Sequence, residues 1–124
     1  MESDKSLGNL RVYQSALKLS ESAWQIYIHL SKEHRFDMGS QWIRSIDSIG
    51  ANIAEGYGRY HYKDKIKFYY NARGSLWEGK HWLLLLYKRL LISEEEFQKN
   101  LAMLNAMGKQ LNAFIATTGN PNDQ

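Results

Sequence analysis

Apolar residues recur along this chain at steps of three and four. The longest series is Tyr69, Ala72, Leu76, Gly79, Leu83, Leu86 and Leu90, and similar series run over residues 12–30, 42–53 and 97–115. Such steps place side chains on one face of an α-helix, where a facing helix can cover them. The spacing therefore predicts an all-α protein with helices over about residues 10–31, 39–55, 62–91 and 94–116.

Turn signals separate these helices. Residues 31–39 are polar and read as a connection, while Gly56 and Gly58 suit the positive φ that often ends a helix. Ser93 and Glu96 have the spacing of a capping box at a helix start. Because the connections are short, we expect an antiparallel up-down-up-down four-helix bundle. It forms a single domain over residues 1–124, with an ordered core over about 9–116 and a disordered tail over 117–124.

The third predicted helix carries more apolar surface than one seam needs. Ile66, Tyr70, Trp77, Leu84, Tyr87 and Leu91 lie on a face adjacent to the main stripe, and Phe68 and Trp82 on another. A helix that is apolar over so wide an arc is typical of an interface, which favours self-association. The alternative is that some of these aromatic side chains are simply half exposed. Glycines inside the helices, such as Gly74 and Gly79, suggest close helix approach.

Composition narrows the class of protein. The chain has 124 residues and no cysteine, so it has no disulfide framework and suits a reducing cytoplasm. Its polar first residues are not a signal peptide, and its longest apolar run is too short to span a membrane. The net charge is only +3, but residues 41–90 contain nine basic and four acidic residues. This concentration of positive charge attracts phosphate backbones or an acidic protein, or it simply aids solubility.

Motifs for catalysis are weak. Glu78 and His81 form a Glu-x-x-His pair, but a di-iron bundle needs a second such pair, and no other histidine has a glutamate three residues before it. Gly56 and Gly58 follow a predicted helix, whereas a dinucleotide fingerprint follows a strand. We therefore expect no metal, no cofactor and no catalytic residue, and hence no enzyme.

The segment from Gly56 to Tyr70 interleaves aromatic and cationic residues, which can stack on bases and pair with phosphates. We predict that Lys63 and Lys67 share a helix face, with Arg59 in the preceding turn, and that Tyr60 and Tyr62 add stacking. Lys65 points elsewhere and is the weakest member of this candidate nucleic-acid site. The same composition also suits a protein interface.

Four polar residues lie close to core-facing positions. They are Arg44, Asn52, Glu55 and Arg73. We expect them to form a structural polar network, with Glu55 buried beside an arginine or a backbone donor.

Four short runs together resemble a known family. They are Leu10-Arg-Val-Tyr-Gln14, Ser40-Gln-Trp-Ile-Arg44, Asn52-Ile-Ala-Glu-Gly-Tyr-Gly-Arg59 and Ala72-Arg-Gly-Ser-Leu76. Their order resembles the four-helix-bundle proteins encoded in intervening sequences of bacterial 23S ribosomal RNA genes, over about residues 9–116. The chain departs from that pattern at Gly50, where the family commonly has proline.

The resemblance implies an antiparallel four-helix protomer in a ring-shaped homopentamer, without catalytic residues. It also implies similarity to the accessory variability determinant proteins of diversity-generating retroelements, which bind nucleic acid and a reverse transcriptase. Two functions follow as alternatives: an oligomeric protein that binds structured RNA, DNA or an RNA–protein complex, or a scaffold that recruits a partner enzyme without contacting nucleic acid.

Overall fold

A computed structural model describes residues 6–118, which include four long helices and one short one. The long helices are α1 (Arg11–His29), α3 (Met38–Tyr57), α4 (Tyr62–Lys88) and α5 (Glu94–Thr117). The short helix α2 (Lys32–Phe36) lies between α1 and α3. The four long helices begin and end within three residues of their predicted limits. The tail predicted to be disordered, residues 117–124, lies mostly outside the described residues.

The long helices form the predicted bundle. Helix α1 packs against α3 and α5, and α4 packs against the same two helices, so α1 and α4 occupy diagonal corners. The core between them is continuous and includes Leu19, Trp42, Ile49 and Leu83, all of which are buried. The indole Nε1 of Trp42 donates a hydrogen bond to the carbonyl oxygen of Ala23 at 3.1 Å. The largest core side chain therefore also ties α3 to α1.

The connection between α1 and α3 differs from the prediction, since residues 32–36 are helical. The side chain of Ser31 accepts a hydrogen bond from the backbone N–H of His34, which caps this single turn. A five-residue helix contributes no buried side chain. Apolar spacing therefore has no signal from which to predict it.

The end of α3 also differs from the prediction, because neither Gly56 nor Gly58 has a positive φ. Gly58 has a φ of −77° at the C-cap, and Gly56 lies buried in the last turn. A Cβ at Gly56 would lie 2.7 Å from Cε1 of Tyr69 and 3.0 Å from the carbonyl oxygen of Lys65. Glycine is needed here for the close approach of α3 and α4, not for a left-handed turn.

Helix α4 ends in a turn that no glycine signals. Leu90 has a φ of 61°, and the backbone N–H groups of Leu90 and Leu91 donate to the carbonyl oxygens of Tyr87 and Leu86. These two bonds form a Schellman motif with leucine at the position that glycine usually occupies. The predicted capping box then begins α5, with the Ser93 side chain accepting from the Glu96 backbone N–H at 3.0 Å.

Candidate nucleic-acid interface

Lys65 and Arg59, two residues of the predicted nucleic-acid site, stabilise the turn between α3 and α4. Lys65 is half-buried, and its Nζ donates a hydrogen bond to the carbonyl oxygen of Tyr57 at 3.0 Å. It thus caps the C-terminal end of α3. The guanidinium of Arg59 lies 4.8 Å from the ring centroid of Phe68 and 3.9 Å from the Glu55 carboxylate. Both cations therefore have structural partners within the turn.

Lys63 and Lys67 share a helix face, as their spacing predicts. Both are exposed and lie one turn apart on the outer face of α4. Tyr60 is 81% exposed and meets the ring of His61 edge-on, whereas Tyr62 is half-buried. The two lysines and Tyr60 are therefore the predicted members that remain most accessible to a ligand.

The expected polar network of Arg44, Asn52, Glu55 and Arg73 does not form. The Glu55 side chain is 56% exposed, so the prediction of its burial is wrong. Asn52 instead donates to the carbonyl oxygen of Ser48 at 2.8 Å, and Arg73 donates to Oδ1 of Asn112 at 3.1 Å. Core packing fixes how each helix is rotated about its axis, and these rotations direct the four side chains toward different neighbours. Apolar spacing alone does not determine the rotations.

Arg73 belongs to a groove between α4 and α5. The groove has a volume of about 350 Å³ and is lined by Arg73, Leu76, Trp77, Lys80, Asn105, Gly108, Lys109 and Asn112. Three of these side chains are cationic and none is a carboxylate. The guanidinium of Arg73 lies 4.7 Å from the Tyr70 ring, and Nζ of Lys80 lies 4.3 Å from the Trp77 ring. Arg73 and Lys80 thus each lie over an aromatic ring that is itself partly exposed to solvent.

The groove continues the surface that begins at Lys63 and Lys67. Positions 63, 67, 70, 74 and 77 follow steps of four and three, so they share the outer face of α4. Tyr70 and Trp77 on this face are 47% and 63% exposed. We call Lys63, Lys67, Tyr70, Arg73, Trp77, Lys80 and Lys109 the basic face. The spacing on α4 could have revealed most of it, but Lys109 joins only through the packing of α5.

Tyr69 lies behind the turn, on the core side of α4. Its ring packs against Phe114 with the centroids 4.7 Å apart. Burial, together with the nearby Tyr57, raises the pKa of Tyr69 to about 12. The phenol therefore stays protonated at neutral pH and contributes no charge to the basic face.

The Glu-x-x-His pair lies on the surface of α4. Glu78 and His81 are both exposed, and no group of three potential metal ligands occurs within residues 6–118. None of the helices in this part of the chain is both long and apolar enough to cross a membrane.

Residues 8–113 match the family model of the 23S rRNA-intervening sequence protein. The chain belongs to this family. Among solved structures, it is similar to a protein of unknown function from the S23 ribosomal protein family of Bacteroides thetaiotaomicron VPI-5482, solved at 1.70 Å. The two are 28% identical with a TM-score of 0.80, and the match covers 86% of this chain and 99% of the other. A search of curated proteins gave no match. The similarity to accessory variability determinant proteins stays a prediction.

The runs that carry the 23S rRNA-intervening sequence resemblance divide between core and surface. In the run 72–76, Ala72 and Leu76 are buried while Arg73 lines the groove. In the run 52–59, Ile53 is buried and Gly56 allows α4 to approach. The buried residues of these two runs contribute to the packing of the helices, and Arg73 is partly exposed to the groove.

Proposed function

We propose that this member of the 23S rRNA-intervening sequence family is a non-enzymatic protein that binds structured RNA through its basic face. The observation that carries the proposal is the groove lined by Arg73, Lys80 and Lys109 without a carboxylate. Within the described residues these cations have no carboxylate partner and lie beside exposed aromatic rings, so the face can both contact phosphates and stack on bases.

The dimensions of the basic face fit a nucleic-acid backbone. From Lys63 to Lys80 the helix rises about 25 Å at ~1.5 Å per residue. Several successive phosphates fit along this length. The cations of the basic face are lysines apart from Arg73, and lysine ammonium groups contact phosphates as point charges, so we expect recognition of shape and charge rather than of a base sequence.

The test is a shift assay with 23S ribosomal RNA fragments and with duplex DNA at several salt concentrations. Changing Arg73, Lys80 and Lys109 to glutamine should weaken RNA binding strongly and flatten the salt dependence. Each lost phosphate contact lowers the slope of log affinity against log salt by roughly 0.7–0.9. The pair Lys63→Gln and Lys67→Gln should act in the same direction.

The matched control changes Arg11 and Lys18 to glutamine. Both are exposed on α1, at the corner diagonal to α4, and their replacement removes the same charge as the change of Lys63 and Lys67. RNA affinity should remain near that of the unmodified protein. Equal losses from the control and the basic-face variants would show that only net charge matters and would refute the assigned surface.

We also propose that copies of the chain self-associate, with the pentamer implied by the family resemblance as the expected form. Leu17, Trp24 and Ile28 form an exposed stripe on α1 at helical spacing and are 50%, 45% and 39% exposed. Trp24 stacks on Tyr27 rather than on a cation, with the ring centroids 5.2 Å apart. An aromatic neighbour favours a protein contact at Trp24, whereas Tyr70 and Trp77 on the outer face of α4 are paired with cations.

Light scattering of two tryptophan variants separates these roles. Trp24→Ser should lower the oligomeric mass while leaving RNA contacts in place, and Trp77→Ser should weaken RNA binding without changing the mass. If Trp77→Ser instead dissociates the oligomer and the unmodified protein binds no RNA, the results favour the alternative function, in which the protein does not contact nucleic acid. The α4 surface would then serve a scaffold that recruits a partner enzyme, such as a reverse transcriptase.

A further inference from the structure

A second pocket lies at the other end of the bundle. It has a volume of about 520 Å³ and is lined by Phe36, Ser40, Gln41, Arg44, Trp82 and Arg89, with Asp37 and Met38 at the start of α3. It lies near the C-terminal end of α4, where Arg89 is about 14 Å along the helix axis beyond Lys80 at ~1.5 Å per residue. The pocket shares no lining residue with the groove between α4 and α5, and it is large enough for a small organic ligand.

Two guanidinium groups from different helices line this pocket. Arg44 is exposed on α3, and Arg89 is the C-cap of α4. The Schellman turn fixes the backbone at Arg89, whose Nη1 approaches Sδ of Met38 at 3.5 Å. Sulfur is a weak acceptor, and the ion pair found among residues 6–118 is Arg59 with Glu55. Neither pocket arginine therefore has a carboxylate partner in the described part of the chain.

The carboxylate that lines the pocket is already engaged. Asp37 accepts a hydrogen bond from the backbone N–H of Met38 and so caps α3. The positive end of the α3 dipole offsets part of its charge. Two arginines against one capping aspartate leave the pocket with a cationic surplus, which suits an oxyanion with two or more acceptor oxygens.

Other groups that line the pocket could contact parts of a ligand besides its anionic group. Ser40 and Gln41 supply a hydroxyl and an amide at the first turn of α3. The indole Nε1 of Trp82 is buried and has no hydrogen-bond partner among the described residues. Phe36 is 90% exposed at the rim, although it contributes nothing to the core. An uncovered flat ring beside paired guanidinium groups matches a planar base that carries a phosphate.

We propose that this pocket binds a nucleoside phosphate, with the phosphate on Arg44 and Arg89 and the base stacked on Phe36. The source is either a free mononucleotide or the phosphorylated terminal nucleotide of an RNA. The proposal explains the run Ser40-Gln-Trp-Ile-Arg44, in which Trp42 fills the core while Ser40, Gln41 and Arg44 line the pocket. It does not depend on RNA binding by the basic face.

The experiment titrates the full chain with adenosine 5′-monophosphate, adenosine and inorganic phosphate. Binding is measured by calorimetry and by the NMR signal of the Trp82 indole N–H, assigned through Trp82→Phe. We expect saturable binding of the monophosphate at least tenfold tighter than adenosine, with a shift of the Trp82 signal. The variants Arg44→Gln and Arg89→Gln should each weaken it at least tenfold. Phe36→Ala should weaken the monophosphate but not inorganic phosphate.

Two controls separate this site from the basic face and identify the source. The Lys63→Gln and Lys67→Gln variant should bind the monophosphate normally, whatever happens to RNA. An oligonucleotide with a 5′-phosphate should bind more tightly than its 5′-hydroxyl form if the source is an RNA end, and equally if it is a free nucleotide. Monophosphate affinity that is no higher than that of adenosine, or that survives both arginine changes, would overturn the proposal.

Discussion

Two helical glycines in opposite surroundings give the sharpest test of the packing. Gly56 is buried where α3 meets α4, and a Cβ there would lie 3.0 Å from both the Lys65 carbonyl oxygen and Cβ of Phe68. The third neighbour, Tyr69, is buried and backed by Phe114, so its ring cannot easily move. Gly74 lies in the middle of α4, and apart from its own helix backbone none of residues 6–118 lies within 4 Å of the same Cβ position.

The same chemical change should therefore have opposite effects at the two sites. Alanine is favoured over glycine inside a helix by about 1 kcal/mol. At Gly74 nothing opposes this gain, so Gly74→Ala should raise the free energy of unfolding by about 1 kcal/mol. At Gly56 overpacking costs about 1–3 kcal/mol, and contact with the backbone places it near the upper limit. After the helix gain is subtracted, Gly56→Ala should lose about 2 kcal/mol.

Urea denaturation followed by circular dichroism measures both variants. The midpoints should move in opposite directions while the m-value stays constant, because both variants expose the same surface on unfolding. Since each variant makes the same substitution in the same protein, their difference of about 3 kcal/mol isolates the packing cost. Equal midpoints for the two variants would contradict the close approach of α3 and α4 at Gly56.

Four further effects follow from individual side chains. Leu90→Gly should stabilise the fold by about 1 kcal/mol in denaturant, because a left-handed backbone costs other residues about 1–2 kcal/mol, and Leu90→Ala should show no such gain. Glu55→Ala should change the stability by less than about 0.5 kcal/mol, and a loss of several kcal/mol would restore a structural role for this exposed pair. Ser93→Ala should cost about 1 kcal/mol in the same assay, through loss of the capping box. Stability should fall as pH rises from about 10 to 12, because the pKa of Tyr69 is raised in the folded state. The unfolded chain then loses its proton first, and Tyr69→Phe should remove this part of the pH dependence.

The helices were predictable because buried positions recur along the chain with the period of an α-helix. Every step of three or four that placed Val12, Leu19 and Ile26 on one face of α1 leads to a buried residue in the structure. The turns were less predictable, since their signals are ambiguous. Gly56 reads as a turn glycine but serves helix contact, whereas Leu90 reads as a core leucine but is 88% exposed in a left-handed turn.

The candidate site was predictable only where one helix determines it. Lys63 and Lys67 share a face because they are one turn apart, and no other helix is needed to establish this. The partners of Glu55 and Arg73 depend on the relative rotation of α3, α4 and α5. That rotation is set by core contacts between residues far apart in the sequence, so spacing along one helix does not predict it. The pocket of Arg44 and Arg89 brings together the start of one helix and the end of another, so no local spacing could reveal it.

Gly74 links stability to function on the basic face. Glycine at this position lowers the stability of the fold by about 1 kcal/mol relative to alanine. Close helix packing, which explains glycine at position 56, does not explain Gly74, because the space around its Cβ position is open. Its neighbours one turn away are Tyr70 and Trp77, two aromatic side chains that the protomer leaves partly uncovered. Departures from local preference tend to concentrate where a surface is shaped for a ligand. In the proposed binding mode, a glycine between these two rings would let a phosphate backbone approach the helix closely. The more stable Gly74→Ala protein should therefore bind RNA less tightly, and unchanged affinity would show that the ligand does not reach this part of α4.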